Sequence, residues 1–330
     1  MPRLADVAHR AGVAKITASR VLRQAGPVAA ETRARVEQAM RDLGYIPNIV
    51  ASNLSSNRTR IIAAITPGFA SPLIRDLFQG LSDVVHAQGY HLLFGVADHS
   101  VGEEEALVRA ILARRADALV LSRTRHTAST RQILRNAAIP VVEVGQLASQ
   151  PIDMTVGFSN RAAARAIVQH MIDRGYRRIA MMSEHQEENP RSIVRRQGYA
   201  DALAAAGLTP DPALLIESST DLGAAAQALR ALRRQKRAPD AVFCGDDLLA
   251  LGALFECQRQ GWHVPRDIAV AGFGDLEYAA QACPSITTIH VDRISMGRSA
   301  GEMLLLALGG ARPGRRSLDI GFSLIPRAST

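Results

Sequence analysis

Aromatic residues and cysteines are scarce in this 330-residue sequence. Aromatic residues make up 4% of the chain, and its three cysteines, Cys244, Cys257 and Cys283, form no C-x-x-C pair. This pattern argues against a disulfide framework and against a zinc site. No run of about 18 uncharged apolar residues is present, so no membrane span is predicted. The opening MPRLADVAHRAGVA lacks the apolar segment of a signal peptide, and we expect a soluble, cytoplasmic protein without a bound metal.

Familiar catalytic motifs are also missing. The sequence contains no P-loop, no G-x-S-x-G and no H-E-x-x-H, and Gly272-Phe273-Gly274 lacks the third glycine of a dinucleotide fingerprint. The acidic pair Asp246-Asp247 consists of neighbours, which do not face one another on a helix. The sequence therefore predicts neither an enzyme nor a cofactor.

Positive charge is concentrated at the start of the chain. The whole chain carries a net charge of +8, and residues 1–60 account for +6 of it, with ten Lys and Arg against four Asp and Glu. A basic head on a nearly neutral body is typical of a nucleic-acid-binding module joined to a second domain. A solvated helical face is the alternative that charge alone leaves open.

Apolar residues recur at helical spacing in three stretches of the head. The first begins at Leu4, the second begins near Lys15, and the third ends at Gly44, a residue suited to a helix C-terminus. Two helices joined by a tight turn and followed by a third predict a helix-turn-helix domain over residues 1–46. Residues 47–60 are rich in Asn and Ser and predict a hinge.

From Ile61 onward, β-type apolar runs alternate with amphipathic helical stretches. The strand candidates are Ile61–Thr66, His91–Ala97, Ala118–Ser122, Val141–Gly145, Thr155–Ser159, Ile179–Ser183, Leu214–Ser218, Ala241–Gly245, Ile268–Gly274 and Thr287–Val291. The alternation predicts parallel sheets flanked by helices, and ten strands are too many for one compact sheet of this kind. We therefore expect an α/β body of two lobes, one of about 61–150 plus 276–291 and one of 151–275 plus 292–330.

Several strand candidates are followed by residues that could line a cleft between the lobes. Ligands of open α/β sheets bind beyond the carboxyl ends of the strands. This rule selects Ser71, Leu73, Ser122 and the pair Asp246-Asp247. Each Ser or Asp could equally cap the next helix, and that alternative stays open here.

Two long segments carry a resemblance to a known family. The head, LADVAHRAGVAKITASRVL followed by ETRARVEQAMRDLGYIPN, resembles the signature of the LacI/GalR family of bacterial transcription regulators. RDIAVAGFGDLEYAAQACPSITTIHVDRISMGRSAGEMLL resembles the C-terminal part of that family's effector domain. VVEVG, VGFSNRAAARAIVQHMIDRGYRRIAMMS and GFGDLEYAAQ look like the branch that regulates gluconate and related sugar-acid use. The resemblance spans the chain and implies a helix-turn-helix head, a hinge helix and a two-lobed body like that of periplasmic binding proteins.

The resemblance makes Lys15–Leu22 the recognition helix. It implies that Lys15 and Ile16 read base edges in the major groove of a pseudo-palindromic operator. Lysine can donate to guanine, and isoleucine can contact a thymine methyl group. Plain helix packing is the alternative for Ile16. The residues that could reach phosphates or neighbouring bases are Thr17, Ser19 and Arg20.

By the same resemblance, Asn48–Ser55 is the hinge helix, which in this family folds when two protomers lie side by side on an operator. Asn48 is one of its expected DNA contacts. Leu54 falls at the position that wedges into the minor groove, where an apolar side chain can kink a base step. The sequence ends without leucine heptads, which favours a dimer over a tetramer.

For the effector, the resemblance implies that Arg195 of R-x-x-G-Y grips the ligand and that Asp247 accepts its hydroxyls, with Ser122 as a polar pocket residue. An arginine fork suits a carboxylate, and a carboxylate suits polyol hydroxyls, so a sugar acid such as gluconate is expected. A purely structural role between the lobes is the alternative for Arg195 and Asp247.

The sequence departs from the family pattern at four positions. Ala14 and Ala29 stand where the family usually has serines that cap the second and third helices. Gly145 replaces a strand-end aspartate found in several members, and Thr220 falls near a usual aromatic residue. We therefore expect weaker phosphate contacts at the two helix starts and a pocket with one acid fewer.

The sequence thus predicts a dimeric, sequence-specific DNA-binding repressor controlled by a small sugar acid. One alternative is a periplasmic-type sugar-binding protein, which shares the two-lobed body but has no basic head. A second is a sugar-metabolising α/β enzyme, which would need the catalytic constellation that is missing here.

Overall fold

The computed structural model describes residues 2–22, 26–45, 58–68, 72–98, 100–184, 190–311 and 314–330, and only the backbone of Pro72, Leu73 and Pro190. The chain divides into two compact units, Met1–Arg60 and Ile61–Thr330. Within the described ranges, no helix is long and apolar enough to cross a membrane.

The first unit contains three helices, α1 (Leu4–Arg10), α2 (Lys15–Leu22) and α3 (Ala30–Leu43). Gly12 makes the tight turn between α1 and α2 at a φ of 65°, and Gly44 ends α3 in the left-handed conformation. These helices enclose a small apolar core of Val7, Ala8, Ala11, Ala18, Val21, Val36 and Ala39. The predicted three-helix head is confirmed.

The second unit begins with strands and helices that alternate as far as the fourth strand, which is followed directly by the fifth. They are β1 (Ile61–Thr66), α4 (Pro72–Ala87), β2 (His91–Val96), α5 (Val101–Ala113), β3 (Ala118–Leu121), α6 (Ala128–Ala137), β4 (Val141–Gln146) and β5 (Met154–Phe158). Together with the late strand β11 (Ser317–Asp319), the five strands form a parallel sheet in the order β11-β5-β4-β3-β1-β2. Every residue of β3 is buried, as expected for a parallel strand covered on both faces.

A second parallel sheet follows, in the order β7-β6-β8-β9. Its elements are α7 (Asn160–Asp173), β6 (Ile179–Ser183), α8 (Pro190–Ala205), β7 (Leu215–Glu217), α9 (Leu222–Arg233), β8 (Ala241–Cys244), α10 (Asp247–Gln260) and β9 (Ala269–Ala271). The remaining elements are α11 (Glu277–Gln281), β10 (Thr288–His290), α12 (Arg293–Leu308), β11 and β12 (Ser323–Ile325), and β10 pairs antiparallel with β12. The predicted α/β class with two parallel sheets is confirmed.

The two lobes are composed differently from the predicted division. β5 lies in the first sheet, where it pairs with β4, although the prediction assigns it to the second lobe. α12 packs on α4 and also contacts β4 and β5, and β11 pairs with β5. The predicted division is wrong at these elements because the loop 147–153 resembles a crossing between lobes but returns to the same sheet. Below, the first lobe is the six-stranded sheet with α4, α5, α6 and α12, and the second lobe is the four-stranded sheet with α7 to α11.

Candidate functional site

Helix α2 directs its predicted DNA contacts away from the core of the first unit. Ala18 and Val21 are buried in that core, whereas Ile16 is 64% exposed. Helix packing therefore does not explain Ile16. All five predicted contacts on this helix are exposed or half-buried: Lys15, Ile16, Thr17, Ser19 and Arg20.

Four other predicted site residues receive little structural description. Asn48, Leu54 and Ser71 lie outside the described residues, and Leu73 is described only by its backbone.

In the second unit, Arg195 of α8 has a buried guanidinium group held on three sides. Its Nε donates to Asn160 Oδ1 over 2.9 Å, and its Nη1 donates to the Gly245 carbonyl. The group lies over the Phe273 ring, 3.9 Å from the ring centroid. Burial lowers the pKa of Arg195 to about 10, a value at which the group stays charged at neutral pH. Within the described part of the chain Nη2 has no acceptor, so this nitrogen can serve a ligand.

Asn160 connects Arg195 to the first sheet. Its side chain is fully buried at the start of α7, immediately after the chain leaves β5. While Oδ1 accepts from Arg195, Nδ2 donates to Gln146 Oε1 over 2.8 Å and to the Gly145 carbonyl over 3.4 Å. Gly145 and Gln146 end β4, so the position of the arginine depends on groups from both lobes.

Two adjacent acids at the start of α10 have different surroundings. Asp247 is fully buried. Its Oδ1 accepts from Thr288 Oγ1 over 2.6 Å, and its Oδ2 accepts from the Leu276 N–H over 2.8 Å. Each carboxylate oxygen accepts one of these bonds and can accept a second. The effector contact of Asp247 therefore stays a prediction, and the structure adds two bonds that hold its side chain in place.

Asp246 is the acid that shares its surroundings with Arg195. Its Oδ1 caps α10 by accepting from the Leu248 N–H over 2.8 Å. Burial raises the pKa of Asp246 to about 6, and Arg195 is among the charges that act on it. Apart from the capping bond, its carboxylate accepts no hydrogen bond from the described residues. Asp246 can therefore accept hydrogen bonds from a polyol.

The charges of Arg191 and Arg293 act on Arg195, and the charge of Arg191 also acts on Arg123. These four residues are called the arginine cluster below: Arg123, Arg191, Arg195 and Arg293. Burial lowers the pKa of each of them. Arg293 donates to the carbonyls of Gly274 and Val291, over 2.9 and 3.2 Å. Attraction to Asp246 and Glu184 favours the charged state of Arg191. The site therefore combines several cations with the acids Asp246 and Glu184, which suits a ligand with both an anionic end and hydroxyl groups.

Other residues of the site have mixed outcomes. Ser122 is buried at the end of β3 and donates to the Ile65 carbonyl over 3.2 Å, so its hydrogen is used within the first sheet. Thr220 donates to Glu184 Oε1 over 3.0 Å.

Sequence reasoning missed Asn160, Phe273 and Tyr278. Phe273 could have been found because it follows β9 at the strand's carboxyl end. The buried hydroxyl of Tyr278 has no partner within the described ranges.

Comparisons with known proteins match both units. The profile described as bacterial regulatory proteins, lacI family, matches residues 3–48, and that of the periplasmic binding protein-like domain matches residues 168–330. The HTH-type transcriptional regulator GntR of Escherichia coli strain K12 is 35% identical over 328 residues, which cover 99% of this chain and 98% of that protein. The GntR protein of Pseudomonas aeruginosa is 37% identical over 337 residues, which cover 100% and 96%.

Solved structures show the same similarity. A LacI-family transcriptional regulator from Silicibacter pomeroyi matches with a TM-score of 0.94 and 28% identity, over 100% of this chain and 99% of the other. The lac repressor dimer, bound to operator and the anti-inducer ONPF, matches with a TM-score of 0.83 and 26% identity, again over 100% and 99%. Sequence and fold similarity therefore extend over the whole chain.

Proposed function

The chain belongs to the LacI family of DNA-binding transcriptional regulators, and from that premise we propose that it is a repressor whose operator binding is controlled by a small sugar acid. The observation that carries this proposal is the buried Arg195, which keeps one terminal nitrogen for a ligand and lies beside Asp246. Arginine pairs strongly with a carboxylate, and an aspartate accepts from hydroxyls. One end of an aldonate such as gluconate suits the cations, and its hydroxyl chain suits the acid.

The proposal makes a testable prediction for Arg195 and Asp246. Arg195→Ala and Asp246→Asn should leave operator affinity near that of the unmodified protein but make it insensitive to gluconate. Arg195→Ala should weaken gluconate by about tenfold or more, because it removes a charge-assisted hydrogen bond of about 1.5–3 kcal/mol. It should weaken glucose much less, since glucose has no carboxylate. Isothermal titration with both ligands and an operator gel shift check these expectations. Equal losses for the two ligands would remove the sugar-acid proposal.

For DNA recognition, we infer that Lys15 and Ile16 read bases while Thr17, Ser19 and Arg20 reach phosphates or adjacent bases. The exposure of these side chains on one surface of α2 supports this inference. Roles for Asn48 and Leu54 in the hinge follow from the family resemblance alone. Replacing Lys15 by Ala should cost about 1–3 kcal/mol at one base position of each half-site, which a binding assay on operator variants measures.

We further infer that the active form is a homodimer. On the edge strand β2, Leu93, Phe94 and Val96 are each more than 40% exposed, and Ile294 at the start of α12 is 41% exposed. Phe94 contacts Phe78 of α4, with ring centroids 4.9 Å apart. Apolar side chains on an open sheet edge favour pairing with another protein surface. A second copy of this chain is the expected partner, because the similar lac repressor structure is a dimer.

Neither alternative from the sequence explains the head of the chain. A periplasmic-type sugar-binding protein would have no use for an exposed recognition helix. The relatives described above are named as transcriptional regulators and not as sugar-metabolising enzymes. A regulator acts where its operator is, and we therefore expect it in the cytoplasm.

A further inference from the structure

Arg123 is a buried cation whose hydrogen-bonding groups lack acceptors. The residue is 8% exposed, and its Nε and Nη1 have no partner within the described part of the chain. A buried donor without an acceptor is costly, and a charged one costs more than a neutral one. Burial and the charges of Arg191 and Arg125 lower the pKa of Arg123, and the charge of Glu104 opposes them. Among the described residues, no group accepts a hydrogen bond from Nε or Nη1.

Arg123 lies two residues beyond the end of β3. The second lobe approaches the first lobe at this edge of the sheet. β3 pairs with β4 as far as Leu121 and Glu143. From the second lobe, Arg191 Nη1 comes within 3.5 Å of the point that a Cβ on Gly145, at the end of β4, would occupy. An aspartate at position 145 would fill the space, and glycine leaves it open. The charge of Arg191 also acts on Arg123, so cations from the two lobes lie close enough to repel one another.

The loop that carries Arg123 is fixed on both sides of it. Before it, the Ser122 backbone N–H and hydroxyl both donate to the Ile65 carbonyl. After it, the fully buried His126 lies between Glu104 Oε1, at 2.6 Å from Nδ1, and Glu143 Oε1, at 3.2 Å from Nε2. Because these bonds hold the loop, Arg123 cannot easily turn away to reach other acceptors.

We propose that Arg123 binds the effector's anionic group from the first lobe, opposite Arg191 on the second lobe, and so makes closure of the cleft depend on that anion. This inference rests on the proposed sugar-acid effector and adds a residue to its recognition. Without an anion, two desolvated cations repel one another across the cleft. A carboxylate bound between Arg123 and Arg191 attracts both guanidinium groups and so offsets their mutual repulsion. It therefore binds the closed arrangement better than the open one, as a ligand that shifts a conformational equilibrium must.

The test uses the full-length protein, gluconate as the ligand and two matched variants. Arg123→Gln removes the buried charge, and Arg125→Gln removes an exposed arginine two residues away in the same loop. Isothermal titration should show gluconate affinity lowered about tenfold or more in Arg123→Gln and unchanged in Arg125→Gln. Arg123→Lys keeps the charge, and its gluconate affinity should lie between those of the other two variants. Saturating gluconate should alter operator anisotropy in the unmodified protein and in Arg125→Gln, but not in Arg123→Gln.

Two results would overturn the inference while leaving the proposed function intact. One is a gluconate affinity in Arg123→Gln equal to that of the unmodified protein. The other is a loss that accompanies a lowered melting temperature without ligand and is not restored by Arg123→Lys, since this result would make Arg123 structural. If the unmodified protein binds no member of a panel of gluconate, 2-ketogluconate and idonate, the proposed function itself fails, and this inference fails with it.

Discussion

At the scale of single residues, the buried histidine of the first lobe has the clearest consequence for stability. Burial by itself lowers the pKa of His126, but the hydrogen bonds that its ring donates to the carboxylates of Glu104 and Glu143 outweigh burial and raise the pKa to about 9. An unperturbed histidine has a pKa of about 6.5. The imidazolium therefore forms within a pair of carboxylates that would otherwise be buried next to one another, and its charge stabilises the fold.

This arrangement predicts a pH dependence with a definite sign. Because the folded pKa lies above the unfolded value, the contribution of His126 is fully present below pH 6.5 and is lost as the pH rises towards 9. The full contribution is about 3 kcal/mol, from 1.36 kcal/mol for each unit of pKa. Urea unfolding of the unmodified protein and of His126→Gln, at intervals between pH 6 and pH 9.5, measures it. A difference in unfolding free energy that stays constant over this range would contradict the prediction.

Candidate functional residues could be predicted from the sequence where a residue faces solvent or follows the end of a strand. The exposed set on α2 is a case of this kind, whereas Arg195, buried on α8, was selected by its match to the family's R-x-x-G-Y motif. The different surroundings of Asp246 and Asp247 were not predictable, because two adjacent aspartates look alike in a sequence. What separates them is the donors that Thr288 and Leu276 bring from a segment about 30 to 40 residues away. Arg123 was missed for a similar reason, since its lack of acceptors is a property of the folded chain.

At the scale of elements, the contact between α7 and α8 positions the proposed effector site. Gly198 lies one helical turn after Arg195, where α8 crosses α7 so closely that a Cβ on residue 198 would lie 2.1 Å from the Arg161 carbonyl oxygen. No real side chain tolerates this distance, and the obstacle is backbone that cannot rotate aside. The glycine therefore sets how near α8, with Arg191 and Arg195, lies to the start of α7.

Gly198→Ala should consequently destabilise the body by several kcal/mol, as overpacking of a close helix contact does, and should weaken gluconate binding by displacing Arg195. Gly102→Ala is the matched control. Gly102 lies in the first turn of α5, where the nearest atom to a new Cβ would be Ser100 Oγ at 3.7 Å. The control should be neutral or slightly stabilising, because alanine favours helix more than glycine does. Thermal unfolding followed by circular dichroism compares the two, and equal melting temperatures would contradict the prediction.

All ten strands predicted from apolar runs are present, and no strand end differs from its predicted position by more than three residues. β11 and β12 were missed because each has only three residues and is half-exposed or exposed, so neither has the apolar run by which strands are recognised. The assignment of β5 to the wrong lobe has another cause. Periodicity indicates that a strand exists but does not indicate its neighbours, which depend on pairing between distant segments.

At the scale of the whole molecule, the exposed edge at β2 makes operator binding depend on association. Val96→Glu places a charge on this edge, where Val96 is 48% exposed. Because a buried, unpaired charge is costly in an interface, we expect a monomer at concentrations where the unmodified protein is a dimer, together with a large loss of operator affinity. Phe255→Glu is the control, since Phe255 is 38% exposed on α10 in the second lobe. Sedimentation velocity and an operator gel shift give the two readouts. If the Val96→Glu variant remains fully dimeric, the dimer interface does not include this edge.

The late position of β11 in the chain has a consequence for how the protein is made. β11 completes the first sheet beside β5, and α12 covers α4, yet both are translated after the entire second sheet. While the ribosome is still adding residues 160–316, β5 remains an open edge and α4 has an uncovered side. The second sheet can fold first, although its strands emerge later. A chain that terminates between the two sheets should therefore expose apolar surface and an open sheet edge. Such a fragment should aggregate unless chaperones bind it or proteases degrade it.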